Sequence, residues 1–157
     1  MDHRVRKIGV FYDGSYVFQV RNYYKRVHER RAILDFNGLH TFVKQEIARI
    51  EGLSEQELSM CKIVDAHFFQ GRRSAHNSDA EALRGERAFD EMLSRMGVTT
   101  HYLPLKKRGS FEMEKGIDVW LALEALEQSY YKHYDFVVLL AGDGDYLPLL
   151  RKLNAFG

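Results

Sequence analysis

Short apolar runs alternate along the chain with longer stretches of helical periodicity. The segments "KIGVFY" (7–12), "CKIVDAHFF" (61–69), "VTTHYLPL" (98–105) and "DFVVLLA" (135–141) have the length and continuity of strands. Between them, Val17, Val20, Tyr23, Tyr24 and Val27 keep helical spacing over 15–31. Leu39, Phe42, Val43, Ile47 and Ile50 do so over 37–52, where Gly52 suits a C-cap. Residues 78–97 read as a helix opened by Ser78 or Asp79 and closed by Gly97. Residues 114–131 and 146–157 read as two more helices, with Gly157 as the cap of the last and "KKRGS" a polar loop before the first of them.

Strands separated by crossover helices predict an α/β fold in three layers, a central parallel sheet of about four strands with helices on both faces. The runs 8–12 and 136–141 are the most apolar, so we expect them side by side at the sheet centre, buried on both sides. The whole of 1–157 reads as one domain. Its pattern ends on a helix with no strand after it, as in a chain cropped before a final strand.

Composition narrows the class. A chain of 157 residues, 45% hydrophobic and 29% charged, supports a single sizeable core. The net charge of +1 neither points to nucleic acid nor excludes it, since a basic patch can sit inside a neutral total. Cys61 stands alone, which rules out a disulfide framework and zinc-type cysteine spacing and suits a reducing, cytoplasmic compartment. No apolar run approaches the roughly 20 residues that span a bilayer, and "MDHRVRK" has no signal-peptide core.

Ligands of open parallel sheets bind beyond the carboxyl ends of the strands. The first run ends in "YDGS" and the last in "GDGD", so Asp13, Asp143 and Asp145 fall at one edge. Asp118 is embedded in the apolar run "EKGIDVWLALEAL", where a lone charge is costly. Either Lys115, one turn earlier, pairs with it, or it shares a metal with the other three. Four carboxylates together repel one another, and an all-oxygen cluster suits Mg²⁺ or Mn²⁺ rather than zinc. Each feature also has a plain structural explanation. Asp-Gly favours turns, Asp13 can cap the first helix, and Asp145 can cap the helix that holds Pro148. Asp143, directly after the strand, is the more direct ligand of the pair. His67 and His101 read as strand residues rather than ligands.

The stretches "VFYDGSYV", "EKGIDVWLALEAL" and "YDFVVLLAGDGDYLPLLRKLNAFG" together resemble the NYN domain, in its LabA-like group, a branch of the PIN-like nuclease superfamily. The resemblance runs from about Lys7 to Gly157. It implies a Rossmann-like fold and a metal-dependent ribonuclease site of Asp13, Asp118, Asp143 and Asp145. Glu124, where many relatives carry Asp, ranks below these four. Tyr16 replaces a common Asn, with Ser15 beside it, and the family's further strand after the last helix is missing.

These residues suggest metal-assisted hydrolysis of RNA phosphodiester bonds. Lys115, with Arg72 and Arg73 at a strand end and Lys106, Lys107 and Arg108 before the site helix, would contact RNA together with Ser15 and Phe111. The alternative is an RNA- or protein-binding module of the same fold without turnover. A phosphatase of the haloacid dehalogenase type requires a second Asp where Ser15 stands, and no Walker or dinucleotide loop occurs. A homodimer or a protein partner stays open.

Overall fold

Side chains alternate along the two central strands, and that alternation sets the layers. In β1 (Arg6–Asp13), Ile8, Val10 and Tyr12 face one side of the sheet and Phe11 the other. In β2 (Cys61–Arg72), Ala66 and Phe68 join the first set, whereas on the second His67 stacks between Phe11 and Phe69. Phe11, Tyr12, Phe68 and Phe69 are fully buried, and each such burial stabilises the fold by about 1.5–3 kcal/mol. The structure, a computed structural model, describes residues 4–74, 76 and 78–156.

Helices α1 (Gly14–Arg26), α2 (Phe36–Ile50) and α3 (Ala80–Arg95) cover the first face through Val17, Phe36, Val43, Ile47 and Leu93. Helices α4 (Ile117–Lys132) and α5 (Leu147–Ala155) cover the second through Ile117, Leu121, Ala125 and Leu149. Local chemistry places their ends. Asp35 accepts the N–H groups of Asn37 and Gly38, and Asp79 accepts that of Ala82, so both are N-caps. Gly52 and Gly97 follow α2 and α3 with φ of 67° and 71°, the left-handed conformation that glycine tolerates.

With β3 (Val98–Pro104) and β6 (Phe136–Leu140), the strands form one parallel sheet in the order β3-β2-β1-β6. This is the expected three-layer α/β architecture. The chain steps from β1 to β2 to β3 in one direction, then returns to lay β6 on the far side of β1. The crevice between β1 and β6 is therefore the topological switch point, where such sheets bind ligands.

Four expectations change. β1 and β6 are neighbours, but β6 ends the described sheet, and its five residues, which pack alternately on the two cores, are half-buried rather than fully buried. The helix expected over 15–31 stops at Arg26, and Tyr23, Tyr24 and Val27 are exposed because no core faces them. The "polar loop" after β3 is a hairpin of β4 (Lys106–Arg108) and β5 (Phe111–Met113), with Gly109 at φ 65° in its two-residue turn, as a type II′ turn needs. The last helix starts at Leu147, behind a 3₁₀ turn over Gly144–Tyr146. Gly157, its expected cap, lies outside the described residues.

Candidate active site at the β1–β6 crevice

Asp13 is the last residue of β1 and the N-cap of α1. Its Oδ1 accepts the Tyr16 N–H at 3.2 Å, and its Oδ2 accepts the phenol of Tyr146 at 3.1 Å. The corner is tight: a Cβ on Gly14 would lie 2.5 Å from the Phe69 carbonyl oxygen, so only glycine lets the chain turn here.

Asp143 follows β6, and its Oδ1 accepts the Asp145 N–H at 2.9 Å, capping the 3₁₀ turn. This shifts the division of labour expected from the sequence. The turn starts at Gly144, two residues before the expected helix start, so the cap is Asp143, and the exposed Asp145 carboxylate accepts no bond from the described residues. The loop is held by Tyr16, whose ring packs on Gly142. A Cβ there would meet it at 2.6 Å.

Asp118 sits in the first turn of α4, where the helix dipole favours an anion. Gly116, in the left-handed region at φ 88°, is the N-cap, so the helix starts at Ile117 rather than at Glu114. Asp118 is exposed, so the argument from the cost of burying it does not apply. Among the described residues no ion pair joins it to Lys115, which is also exposed.

Beneath these acids lies Tyr146, 3% exposed. Burial first, then the charge and hydrogen bond of Asp13, then the charges of Asp118 and Asp143, push its phenol well above the ordinary range. It remains a protonated donor at neutral pH. Among the described residues only Asp13 bonds this phenol, Asp118 and Asp143 act on it through their charges, and the four aspartates do not form a group close enough to share one ion. Tyr146 was not singled out in the sequence. Its signal was an aromatic directly after "GDGD".

Glu114 was also missed. It accepts a hydrogen bond from the Ser15 hydroxyl. Its side chain packs where a Cβ on Gly71 would lie 2.9 Å from the Glu114 Cγ. The segment before α4 is thereby tied to the N-terminus of α1. Ser15 is occupied by this contact.

The basic residues fall into two groups. Arg72 donates to Asp90 at 2.9 and 2.8 Å and lies 3.5 Å over the Tyr102 ring, which fastens β2 to α3 and β3. Its guanidinium is engaged within the fold. Arg73 pairs with Glu112 at 2.6 Å and anchors the hairpin, though its side chain is 63% exposed. Lys106, Lys107 and Arg108 are exposed on β4, and Arg108 stands opposite Phe111, which is 77% exposed. Glu124 lies away from the acids, beside His67 and His101.

Carboxylates as donors suit a hard divalent cation such as Mg²⁺ or Mn²⁺, but among the described residues the only group of ligating atoms close enough to share an ion is His67, His101 and Glu124. Compared with known protein families, the chain matches the NYN domain over residues 7–157. Comparison with curated proteins and with solved structures finds no match in either.

Proposed function

The chain belongs to the NYN domain family, and from that membership we propose that it is a metal-dependent ribonuclease of the PIN-like, LabA-like type. NYN domains are generally ribonuclease-like and typically use divalent metals. What supports the reading is that Tyr146, at the switch point of the sheet, bonds Asp13 and feels the charges of Asp118 and Asp143, so these acids border one edge although their oxygens do not form an ion-sized group among the described residues.

In this reading Asp13, Asp118, Asp143 and Asp145 hold Mg²⁺ or Mn²⁺. Bound there, the ion supplies charge stabilisation at a phosphate and a lowered pKa for an attacking water. Tyr146 and the Tyr16 N–H orient the Asp13 carboxylate. The Asp145 N–H does the same for Asp143. Lys115, next to the site helix, meets a phosphate. The β4–β5 hairpin holds the RNA strand through Lys106, Lys107 and Arg108, with Phe111 as a stacking surface. Arg73 borders that path, and Arg72 and Ser15 shape it from within the fold. The lone Cys61, a buried free thiol, suits a cytoplasmic setting. Among the described residues no helix is long and apolar enough to cross a membrane.

A second reading is an RNA-binding module without turnover. The hairpin favours it, since its cations and Phe111 need none of the acids. The deciding experiment compares RNA cleavage by wild type, Asp118→Asn and Asp143→Asn in Mg²⁺ or Mn²⁺. Cleavage lost in both variants supports the nuclease. Cleavage equal in all three refutes the aspartate site. RNA binding with no cleavage by wild type leaves the binding module.

A further inference from the structure

Two residues below Phe69, the partner of Asp13 in the sheet, the structure gathers a second set of ligating side chains. His67 on β2, His101 on β3 and Glu124 on α4 each offer one ligand atom, and the three atoms lie within 4.8 Å of one another. We propose that His67, His101 and Glu124 form a transition-metal site of the zinc type, separate from the aspartates, that fastens α4 to the sheet.

The donor chemistry is the first argument. Two imidazoles and one carboxylate are a zinc-type set with a fourth position open to water, and they discriminate against Mg²⁺, which prefers oxygen. Burial lowers both imidazole pKa values below the ordinary one. The rings are thus neutral at neutral pH, with lone pairs available.

The second argument is what the cluster lacks. His67 is 6% exposed. One of its ring nitrogens, Nδ1, faces His101 Nε2 at 3.0 Å, with a single proton to share, while its Nε2 has no hydrogen-bond partner among the described residues. A buried polar atom left unpaired is costly. Glu124, half-buried, receives only the Gln128 side-chain amide, at 2.8 Å, and no ion pair among the described residues balances its charge. A dication held by the two facing nitrogens and the carboxylate supplies the positive charge that Glu124 is missing and leaves His67 Nε2 to carry the ring's proton.

The third argument is rigidity. His101 stacks on Phe69 at 4.3 Å and 5° and meets the edge of Trp120 at 5.1 Å, and His67 stacks on Phe11 at 5.1 Å and 6°. Aromatic walls fix the rings, and Gln128 fixes the carboxylate, as supporting shells do for metal ligands. Zn–N bonds of about 2.0–2.1 Å place tetrahedral ligands roughly 3.4 Å apart. The two rings therefore open slightly from 3.0 Å, and Glu124 closes in by a side-chain rotation. His101 and Glu124 are half-buried, which leaves the ion a way in along the edge strand.

The test uses the full chain, stripped with chelator, and titrates it with Zn²⁺ by calorimetry and with Co²⁺ by visible absorption. The expected result is one Zn²⁺ per chain, a Co²⁺ spectrum of low coordination number that Zn²⁺ abolishes, and a raised thermal midpoint. Glu124→Gln and His101→Gln should each weaken Zn²⁺ binding by about 10-fold or more, while Asp143→Asn leaves it unchanged. Glu124→Gln is nearly isosteric and keeps the test valid if His101→Gln fails to fold. Absent binding, binding untouched by Glu124→Gln, or binding lost with Asp143→Asn would each overturn the site and show only a hydrogen-bonded histidine pair. None of these outcomes bears on RNA cleavage in Mg²⁺.

Discussion

The Tyr146 phenol donates to Asp13 Oδ2 at 3.1 Å, linking the turn after β6 to the end of β1. The bond spans 133 residues of sequence and joins the two sides of the crevice. Because the ring is buried, Tyr146→Phe keeps the packing and removes only the donor. A hydrogen bond to a charged group contributes about 1.5–3 kcal/mol, and each 1.4 kcal/mol is tenfold in an equilibrium. We expect Tyr146→Phe to raise the Mn²⁺ concentration needed for half-maximal cleavage by about 10-fold and to lower the thermal midpoint by several degrees. An unaltered metal requirement would mean that Asp13 needs no orientation from Tyr146.

The two glycines of "GDGD" should respond oppositely to alanine. At Gly142 a Cβ lies 2.6 Å from the Tyr16 ring, so the ring or the loop must shift. Overpacking of this kind costs about 1–3 kcal/mol. At Gly144 nothing lies within 4 Å and φ is not in the left-handed region. Gly144→Ala should therefore be neutral or stabilise by up to about 1 kcal/mol, by restricting the unfolded chain. Denaturant midpoints of the two variants decide it. Equal losses at both positions would show that the loop, not the Tyr16 contact, sets the requirement.

Acid stability should depend on Asp90. Its carboxylate accepts two N–H groups of Arg72 and, at 2.5 Å, the phenol of Tyr102. The Arg72 hydrogen bond holds its pKa below the usual 3.8 although burial opposes this, and Tyr102 and the Arg72 charge add to the effect. The unfolded chain thus takes up this proton at a higher pH than the folded one. The stabilisation is complete above the ordinary carboxylate pKa and is lost as pH falls through the lowered value. Thermal melts between about pH 5 and 2 should fall less steeply for Asp90→Asn than for wild type. Parallel slopes would remove Asp90 from the acid transition.

The layers were legible because each element carried its own period: continuous apolar runs for β1 and β6, and a helical stripe for α2. The acids at the crevice were legible for a related reason, since Asp13 and Asp143 directly follow those runs. Position within the sheet was not. "FVVLL" reads the same for a central strand as for an end strand, because hydrophobicity reports burial potential and not neighbours. Asp118 is exposed because it lies off the face of α4 that Ile117, Leu121 and Ala125 bury, and an apolar run does not show which of its positions faces the core. His67 and His101 meet only through the register that pairs Ala66 with Val98 and Phe69 with His101. No local pattern announces a contact across 34 residues.

The β4–β5 hairpin offers the last prediction. Arg108 lies directly across from Phe111, so a cation and an exposed ring share one face, while Lys107 sits opposite Glu112, the anchor of Arg73. Base stacking on an aromatic is worth about 1–3 kcal/mol, and removing one cation from a phosphate lowers the salt slope of single-strand binding by about 0.7. Phe111→Ala should then weaken single-stranded RNA binding by at least about 5-fold at every salt concentration and leave the salt slope alone. Lys106→Ala and Arg108→Ala should each flatten the slope. Because the three side chains are exposed, none of these changes should move the melting temperature appreciably. Fluorescence anisotropy across a salt series separates the two effects, and a Phe111→Ala chain that binds RNA as wild type does would take the ring out of the interface.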